Sequence, residues 1–352
     1  MNLNTFVSRL GLICGFLFAV VPAGVRADPP TESQQKGDIK SVEKKPTAAK
    51  PLAFNDPKQA GLDYSLQGEY AGQLSYEKGQ VNIGFQVIAQ GSGEFHGVFY
   101  YGGLPGAGWD KKIKYESDGK LVSDEVVFQH PLGSGRVRDG QFTLHRADGS
   151  PIGLIAKVER TSPTMGAVPP AGAVVLFDGT NADAFKNGKV SPEGWLMEGS
   201  DTIDQFGDCE LHLEFRTPFM PTARGQARGN SGCYLQSRYE VQILDSFGLA
   251  GKNNGCGGIY ETKDPDVNMC LPPLAWQTYD ITYRAAKFDD AGTKTSDARI
   301  TVLHNGVVVQ NDVPLPKSTR AAPLKEGPEL GPLHLQNHGN PVRFRNIWLV
   351  KK

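Results

Sequence analysis

The sequence predicts an all-β protein, with a jelly-roll β-sandwich in its C-terminal half and a small antiparallel β-domain before it. Short runs of alternating apolar and polar residues recur along the chain, turn residues separate them, and no helical period lasts beyond two turns. The 42 glycines and 24 prolines among 352 residues suit many tight turns. The net charge of −1 shows no basic surplus of the kind that nucleic-acid binders carry.

The N-terminus predicts export. Arg9 precedes an apolar run over 10–21, and small residues follow up to Ala27, which is the pattern of a secretory signal peptide over 1–27. The run is shorter than the roughly 20 residues of a membrane-spanning helix, although an uncleaved anchor is the alternative. No other segment could span a bilayer, so we expect a periplasmic or secreted protein.

Composition then divides the chain. Residues 28–60 are rich in Pro, Lys, Glu, Ser and Gln, which predicts a disordered tether. Residues 61–160 read as the antiparallel β-domain, with strands over 80–89, 95–101, 125–129, 141–145 and 152–159. Prolines mark a linker over 161–172. The sandwich follows over 173–352, with strands over 174–177, 209–216, 232–236, 239–244, 277–284, 299–303, 307–309, 331–337 and 342–350.

Four cysteines remain after the signal peptide, and an exported chain could pair them in two disulfides. Cys256 and Cys270 flank one glycine-rich loop, which favours a bridge between them. Cys209 and Cys233 could form a second bridge or be two buried thiols. Their spacing does not resemble a zinc site.

Side chains alternate between the two faces of a strand, and several strands here have one apolar and one polar face. The polar face of 209–216, with Glu210, His212 and Glu214, is expected to meet water. A different polar set suits sugar hydroxyls better, because amides, imidazole and aromatic rings offer fixed donors, acceptors and an apolar platform. This set comprises Tyr234, Gln236, Glu240, Gln242, Gln336 and His338, with Trp276 as a further aromatic residue. It predicts a concave ligand-binding face.

The sharpest local feature is the string from Tyr239 to Asp245. A β-bulge near Leu244 would return Asp245 to the face of Glu240, and two carboxylates would then line one cleft, as glycoside cleavage requires. Alternatively, Asp245 caps the turn that follows. Asn230 and Arg228 precede this string in a loop that either borders the cleft or is solvated.

Several segments resemble the 3-keto-disaccharide hydrolase family over about 173–351. They are Val175–Thr180, Phe206–Phe215, Gly229–Gly232, Tyr239–Asp245, Trp276–Asp280, Asn305–Val307, Leu333–Gly339 and Val342–Ile347. The resemblance implies a concanavalin-like jelly roll similar to that of laminarinases. Their E-x-D-x-x-E motif would correspond to Glu240-x-Gln242-x-x-Asp245, in which glutamine replaces the middle acid.

The resemblance also implies a chemistry. A carbonyl at C3 of a sugar makes the C2 proton acidic, so that a base can start an elimination and water can then add back. Glu240 or His338 could be the base and Asp245 the acid. Asn230, Tyr234, Gln236, Gln242, Gln336, Arg228 and Trp276 would contact substrate. No cofactor is certain, although Glu240, Asp245 and His338 could ligate a divalent cation. The alternatives are a carbohydrate-binding lectin-like module and a matrix or adhesion protein.

Overall fold

The computed structural model describes residues 51–352 except 77, 78 and 132. The signal peptide predicted over 1–27 and the tether up to residue 50 lie outside the described residues. Residues Leu52–Lys352 form one compact unit. Within the described part of the chain, no helix is both long enough and apolar enough to cross a bilayer.

The first half of this unit is an eight-stranded antiparallel barrel that β1 and β8 close. A short helix, α1 (Gly61–Leu66), precedes it. The strands are β1 (Gly68–Tyr76), β2 (Gly79–Gly91), β3 (Glu94–Tyr101), β4 (Lys114–Val122), β5 (Glu125–His130), β6 (Gly133–Arg138), β7 (Gln141–Arg146) and β8 (Pro151–Val158). The predicted antiparallel β-domain is thus a closed barrel.

Aromatic rings fill the barrel. Phe85 stacks on Phe142 with ring centroids 4.0 Å apart and meets Phe128 edge-on at 5.2 Å. Gly97 makes room for these rings, because a Cβ atom there would lie 2.6 Å from Phe85 Cζ. An eight-stranded barrel is just wide enough for side chains to fill, and this one has a packed interior.

The second half is the predicted β-sandwich. Its strands are β9 (Val174–Phe177), β10 (Leu196–Met197), β11 (Ser200–Asp201), β12 (Cys209–Arg216), β13 (Ser231–Leu235), β14 (Tyr239–Ile243), β15 (Gln277–Arg284), β16 (Lys287–Phe288), β17 (Lys294–Ser296), β18 (Ala298–His304), β19 (Val307–Leu315), β20 (His334–Leu335) and β21 (Arg343–Lys351). One sheet has the order β10-β21-β12-β15-β18-β19, with β9 also paired to β21, and the other has the order β11-β20-β13-β14. The all-β prediction is confirmed.

Barrel and sandwich share a core. Ile88, Val98 and Tyr100 of the barrel belong to the same buried cluster as Phe215 and Val241 of the sandwich. Burying apolar surface stabilises a fold by roughly 25 cal/mol per Å². The barrel therefore contributes to the stability of the sandwich.

Two segments differ from the sequence expectations. The last part of the predicted tether is packed, since Phe54 exchanges backbone hydrogen bonds with Phe219 and Ala60 is buried. The linker residues lie on the polar face of β12, where Gly166 N donates to Glu214 Oε1 at 2.6 Å. His212 and Glu214 are consequently buried and do not meet water as expected.

The state of the cysteines also differs from the sequence expectation. All four are buried free thiols, so the predicted Cys256–Cys270 bridge is not formed. The two thiols hydrogen-bond each other, and Cys256 Sγ lies 3.2 Å from the hydroxyl of Tyr279. Of the alternatives for Cys209 and Cys233, the structure shows two buried thiols.

Candidate active site

Four polar side chains form one row across the four-stranded sheet. Asp201 pairs with His334, His334 with Tyr234, and Tyr234 with Glu240 in the strand registers. Residues directly opposite each other on antiparallel strands project from the same face. The row Asp201–His334–Tyr234–Glu240 therefore lies on the face away from the core, into which Cys233, Val241 and Leu335 project.

A glycine forms the floor beside this row. Gly232 pairs with Gln242, and its carbonyl accepts a hydrogen bond from the backbone of Gln336. A Cβ atom on Gly232 would lie 2.2 Å from Glu240 Oε1 and 2.8 Å from Tyr234 Cε2. The carboxyl of Glu240 thus occupies the space that glycine leaves.

Glu240 is a buried carboxyl that makes no ion pair among the described residues, and its residue is 2% exposed. Burial raises its pKa to about 8, against the lowering effect of a hydrogen bond with the Tyr234 hydroxyl. Gln336 Nε2 donates to the same hydroxyl at 3.1 Å. At neutral pH the Glu240 carboxyl therefore carries a proton that it can donate.

His334 supplies a second titratable group to the row. Its Nδ1 lies 2.8 Å from Asp201 Oδ1, and its ring centroid is 5.2 Å from that of Tyr234. With the Nδ1 proton donated to Asp201, Nε2 keeps its lone pair. Nε2 has no hydrogen-bond partner among the described residues.

Gln226 joins three segments beside Gln242. Its Oε1 accepts hydrogen bonds from Gln242 Nε2 at 2.9 Å and from Asn230 Nδ2 at 3.1 Å, and its Nε2 donates to Asn254 O at 2.8 Å. Asn230 Oδ1 is buried without a partner among the described residues. A buried acceptor without a donor costs free energy, which a ligand hydroxyl could recover.

Asp245 lies in a different environment. The strand ends at Ile243 without a bulge, and Asp245 Oδ2 accepts a hydrogen bond from Arg228 Nε at 2.7 Å. Its Oδ1 accepts from the backbone of Phe247, as the turn-capping alternative required. Arg228 Nη1 in turn donates to Ala89 O of the barrel at 3.1 Å. Asp245 and Arg228 therefore tie the loop to the barrel.

Three further predicted site residues lie outside the polar row. Gln236 and Ser237 adopt left-handed backbone conformations at the turn, so alternation stops and Gln236 Oε1 accepts from Tyr283 OH in the interior. Trp276 packs on Trp195 and under the guanidinium of Arg345. His338 is exposed, and no hydrogen bond or ion pair joins it to the row among the described residues. The structure thus brings together Tyr234, Glu240 and Gln336, with Gln242 and Asn230 adjacent.

The three side chains predicted to ligate a cation do not form one site. Asp245 is paired with Arg228 and His338 is exposed, which leaves Glu240 alone of the three candidates. In the described part of the chain, no group of three or more His, Cys, Asp or Glu side chains could hold a metal ion. The donor set does not fit the cation that the sequence suggested.

Sequence reasoning missed His334, Asp201, Gly232 and Gln226. A signal for His334 was present, because it shares the parity of Gln336 in 333–338. Asp201 could not be identified, because it is 133 residues from His334 along the chain and only strand pairing joins them.

We expect Gly232→Ala to lower activity strongly. The new methyl group would occupy the position of the Glu240 carboxyl and displace it from the Tyr234 hydroxyl. Kinetics on the folded variant would check this, with Gly207→Ala as the control for glycine replacement, because a Cβ atom there would meet only the exposed side chain of Leu330, at 3.1 Å. Equal losses of activity in the two variants would contradict a specific role of Gly232 in making room for the Glu240 carboxyl.

Two solved structures from Parabacteroides distasonis, both described as candidate glycosyl hydrolases, are similar to part of this chain. One is 33% identical with a TM-score of 0.48, and the alignment covers 52% of this chain and 85% of that one. The other is 17% identical with a TM-score of 0.37, covering 51% and 94% respectively. No curated protein matches the chain. The model of the 3-keto-alpha-glucoside-1,2-lyase-like domain matches residues 172–350, about half of the sequence, and the chain belongs to this family.

Proposed function

We propose that this protein is an exported enzyme that cleaves the glycosidic bond of 3-keto-glycosides by elimination followed by hydration. The supporting observation is the row Asp201–His334–Tyr234–Glu240, in which Glu240 offers a proton donor and His334 a proton acceptor. Family membership supports the substrate class. The signal-peptide pattern in the sequence supports export.

Glu240 is the general acid in this proposal. Breaking the C1–O bond leaves an alkoxide that must take up a proton, and a carboxyl that is still protonated at pH 7 can donate one. The pKa of about 8 gives Glu240 this property. The Tyr234 hydroxyl holds the carboxyl in place, and Gln336 orients that hydroxyl.

His334 is the general base. Its Nε2 takes the C2 proton, which the C3 carbonyl acidifies, and the electrons first form an enolate. The carbonyl then re-forms, a C1=C2 double bond appears, and the C1–O bond breaks. Water adds at C1 while a proton returns to C2, so the net reaction is hydrolysis. The Asp201 carboxylate orients the imidazole and stabilises the imidazolium that forms.

The test compares a 3-keto-disaccharide with its unoxidised parent. Wild-type protein should cleave only the keto sugar, because only that sugar has an acidic C2 proton. His334→Asn should lose about 10²–10⁴-fold in kcat, the range of general-base catalysis. His338→Asn is the matched control, since His338 lies four residues away and is exposed.

Solvent deuterium provides a second readout. Before product release, wild-type protein should exchange the C2 hydrogen of the keto sugar with D₂O, and His334→Asn should not. Equal cleavage of the parent sugar would contradict the elimination route. Binding of sugars without turnover by the wild-type protein would favour a lectin.

A further inference from the structure

A concavity of about 420 Å³ lies where barrel, linker and sandwich meet. Its walls include Tyr64 and Gln67 from α1 and the residue after it, Lys157 from β8, and Trp276 and Arg345 from the sandwich. No residue of the polar row lines it. The volume is within the range of roughly 300–1,000 Å³ of small-molecule sites.

An ion pair fixes the floor of this cleft. Glu69 is 1% exposed and accepts two hydrogen bonds from Arg160, at 2.5 and 2.6 Å, and one from Gln86 at 2.8 Å. Arg160 also donates to Pro105 O at 2.7 Å. Since each partner satisfies the other, neither charge is available to a ligand.

The side-chain amide of Gln67 lacks a hydrogen-bond acceptor. The residue is 2% exposed, and its Oε1 accepts a hydrogen bond from Ala89 N at 3.2 Å. Its Nε2 is buried and has no acceptor among the described residues. A buried amide donor left unpaired costs about 1–3 kcal/mol, so the cleft favours an occupant that carries an acceptor.

Among the cations that line the cleft, Lys157 differs from Arg160 and Arg345 because it makes no ion pair with a described residue. Lys157 Nζ donates only to the carbonyl of Ser65, at 2.6 Å, and makes no ion pair in the described part of the chain. Desolvation lowers the pKa of Lys157, against the raising effect of the Glu159 carboxylate. Arg345 pairs with Glu214 through Nε, and the one lining carboxylate outside an ion pair, Glu159, is exposed.

We propose that this cleft binds a saccharide that carries a carboxylate, such as a uronic acid residue. The carboxylate would accept from Gln67 Nε2 and Lys157 Nζ, which are the donors without an acidic partner. The walls formed by Tyr64 and Trp276 offer apolar surface to the sugar ring. This site is separate from the Glu240 row and does not depend on the function proposed for that row.

The test titrates the full-length chain with methyl glucuronide, methyl glucoside and acetate by calorimetry. Methyl glucuronide should bind, methyl glucoside should bind at least about tenfold more weakly because it lacks the carboxylate, and acetate should also be weaker because it lacks the ring. Lys157→Met and Gln67→Leu should each weaken glucuronide binding by about tenfold. Lys120→Met is the control, because Lys120 is an exposed barrel lysine.

Several results would overturn the proposal. If methyl glucoside bound as tightly as methyl glucuronide, the cleft would not recognise the carboxylate. If acetate bound as tightly as methyl glucuronide, the cleft would be a site for small organic acids. If both variants bound methyl glucuronide as tightly as wild type, the ligand would bind outside this cleft. If wild-type protein bound no methyl glucuronide at tens of millimolar, the proposed ligand class would be wrong. Turnover of a 3-keto-glycoside should be unchanged in both variants, which separates this test from that of the active site.

Discussion

A Glu240→Gln variant is expected to lose about 10²–10⁴-fold in kcat toward a 3-keto-glycoside while keeping its fold, because glutamine has the shape of the protonated carboxyl but cannot donate a proton to the leaving oxygen. Rates of product release by chromatography would measure the loss. Glu261→Gln is the control, since Glu261 follows Tyr260, whose backbone N–H donates to Glu240 O, but its side chain pairs with Arg320 at the surface. Unchanged turnover in Glu240→Gln would remove this residue from the mechanism.

The pH dependence follows from the same group. Wild-type activity should fall as pH rises through about 8, because the acid form of Glu240 is then lost. The folded-state pKa lies above the ordinary glutamate value of 4.5, so the unfolded state binds fewer protons between these two pH values. The free energy of unfolding therefore decreases as pH rises through this window. Glu240→Gln removes the group that ionises and should be at least as stable as wild type at pH 8.

An Arg228→Met variant is expected to lose about 3–5 kcal/mol of unfolding free energy, because it leaves the buried Asp245 carboxylate without its cation. Urea denaturation would measure this. Arg224→Met is the matched control: Arg224 also bonds the barrel, at Gln90, but contacts carbonyl and amide oxygens only. Its replacement should cost far less.

A double variant separates the charge effect from packing. Asp245→Asn in the Arg228→Met background removes the unpaired charge and should restore part of the lost stability. Equal destabilisation by Arg228→Met and Arg224→Met, with no recovery in the double variant, would contradict a buried ion pair at this position.

The strands of the site could be predicted because their side chains alternate cleanly. Cys233 and Val241 face the core and Tyr234 and Glu240 face outward, as the sequence indicated. Alternation fails at Gln236, where two consecutive left-handed residues turn the chain. That conformation is uncommon for residues other than glycine, and Gln-Ser gives no local signal for it.

Which strands are neighbours could not be predicted. The row depends on the order β11-β20-β13-β14, which joins Asp201 and His334 only in three dimensions. Asp245 was predicted to share a cleft with Glu240 because the two are close in sequence. In the structure it is instead bound by Arg228, which also contacts the barrel. The pattern of residues within one segment cannot show an interaction partner that a distant part of the chain supplies.

The burial of Glu214 depends on residues that precede the segment matched by the family model. Its carboxylate accepts from Gly166 N, and Ala167 O accepts from Asn346 and Trp348, so residues before 172 complete the outer surface of β12 and β21. The homologous segment alone would lose this cover. The N-terminal half of this chain is therefore part of the same compact unit as the sandwich.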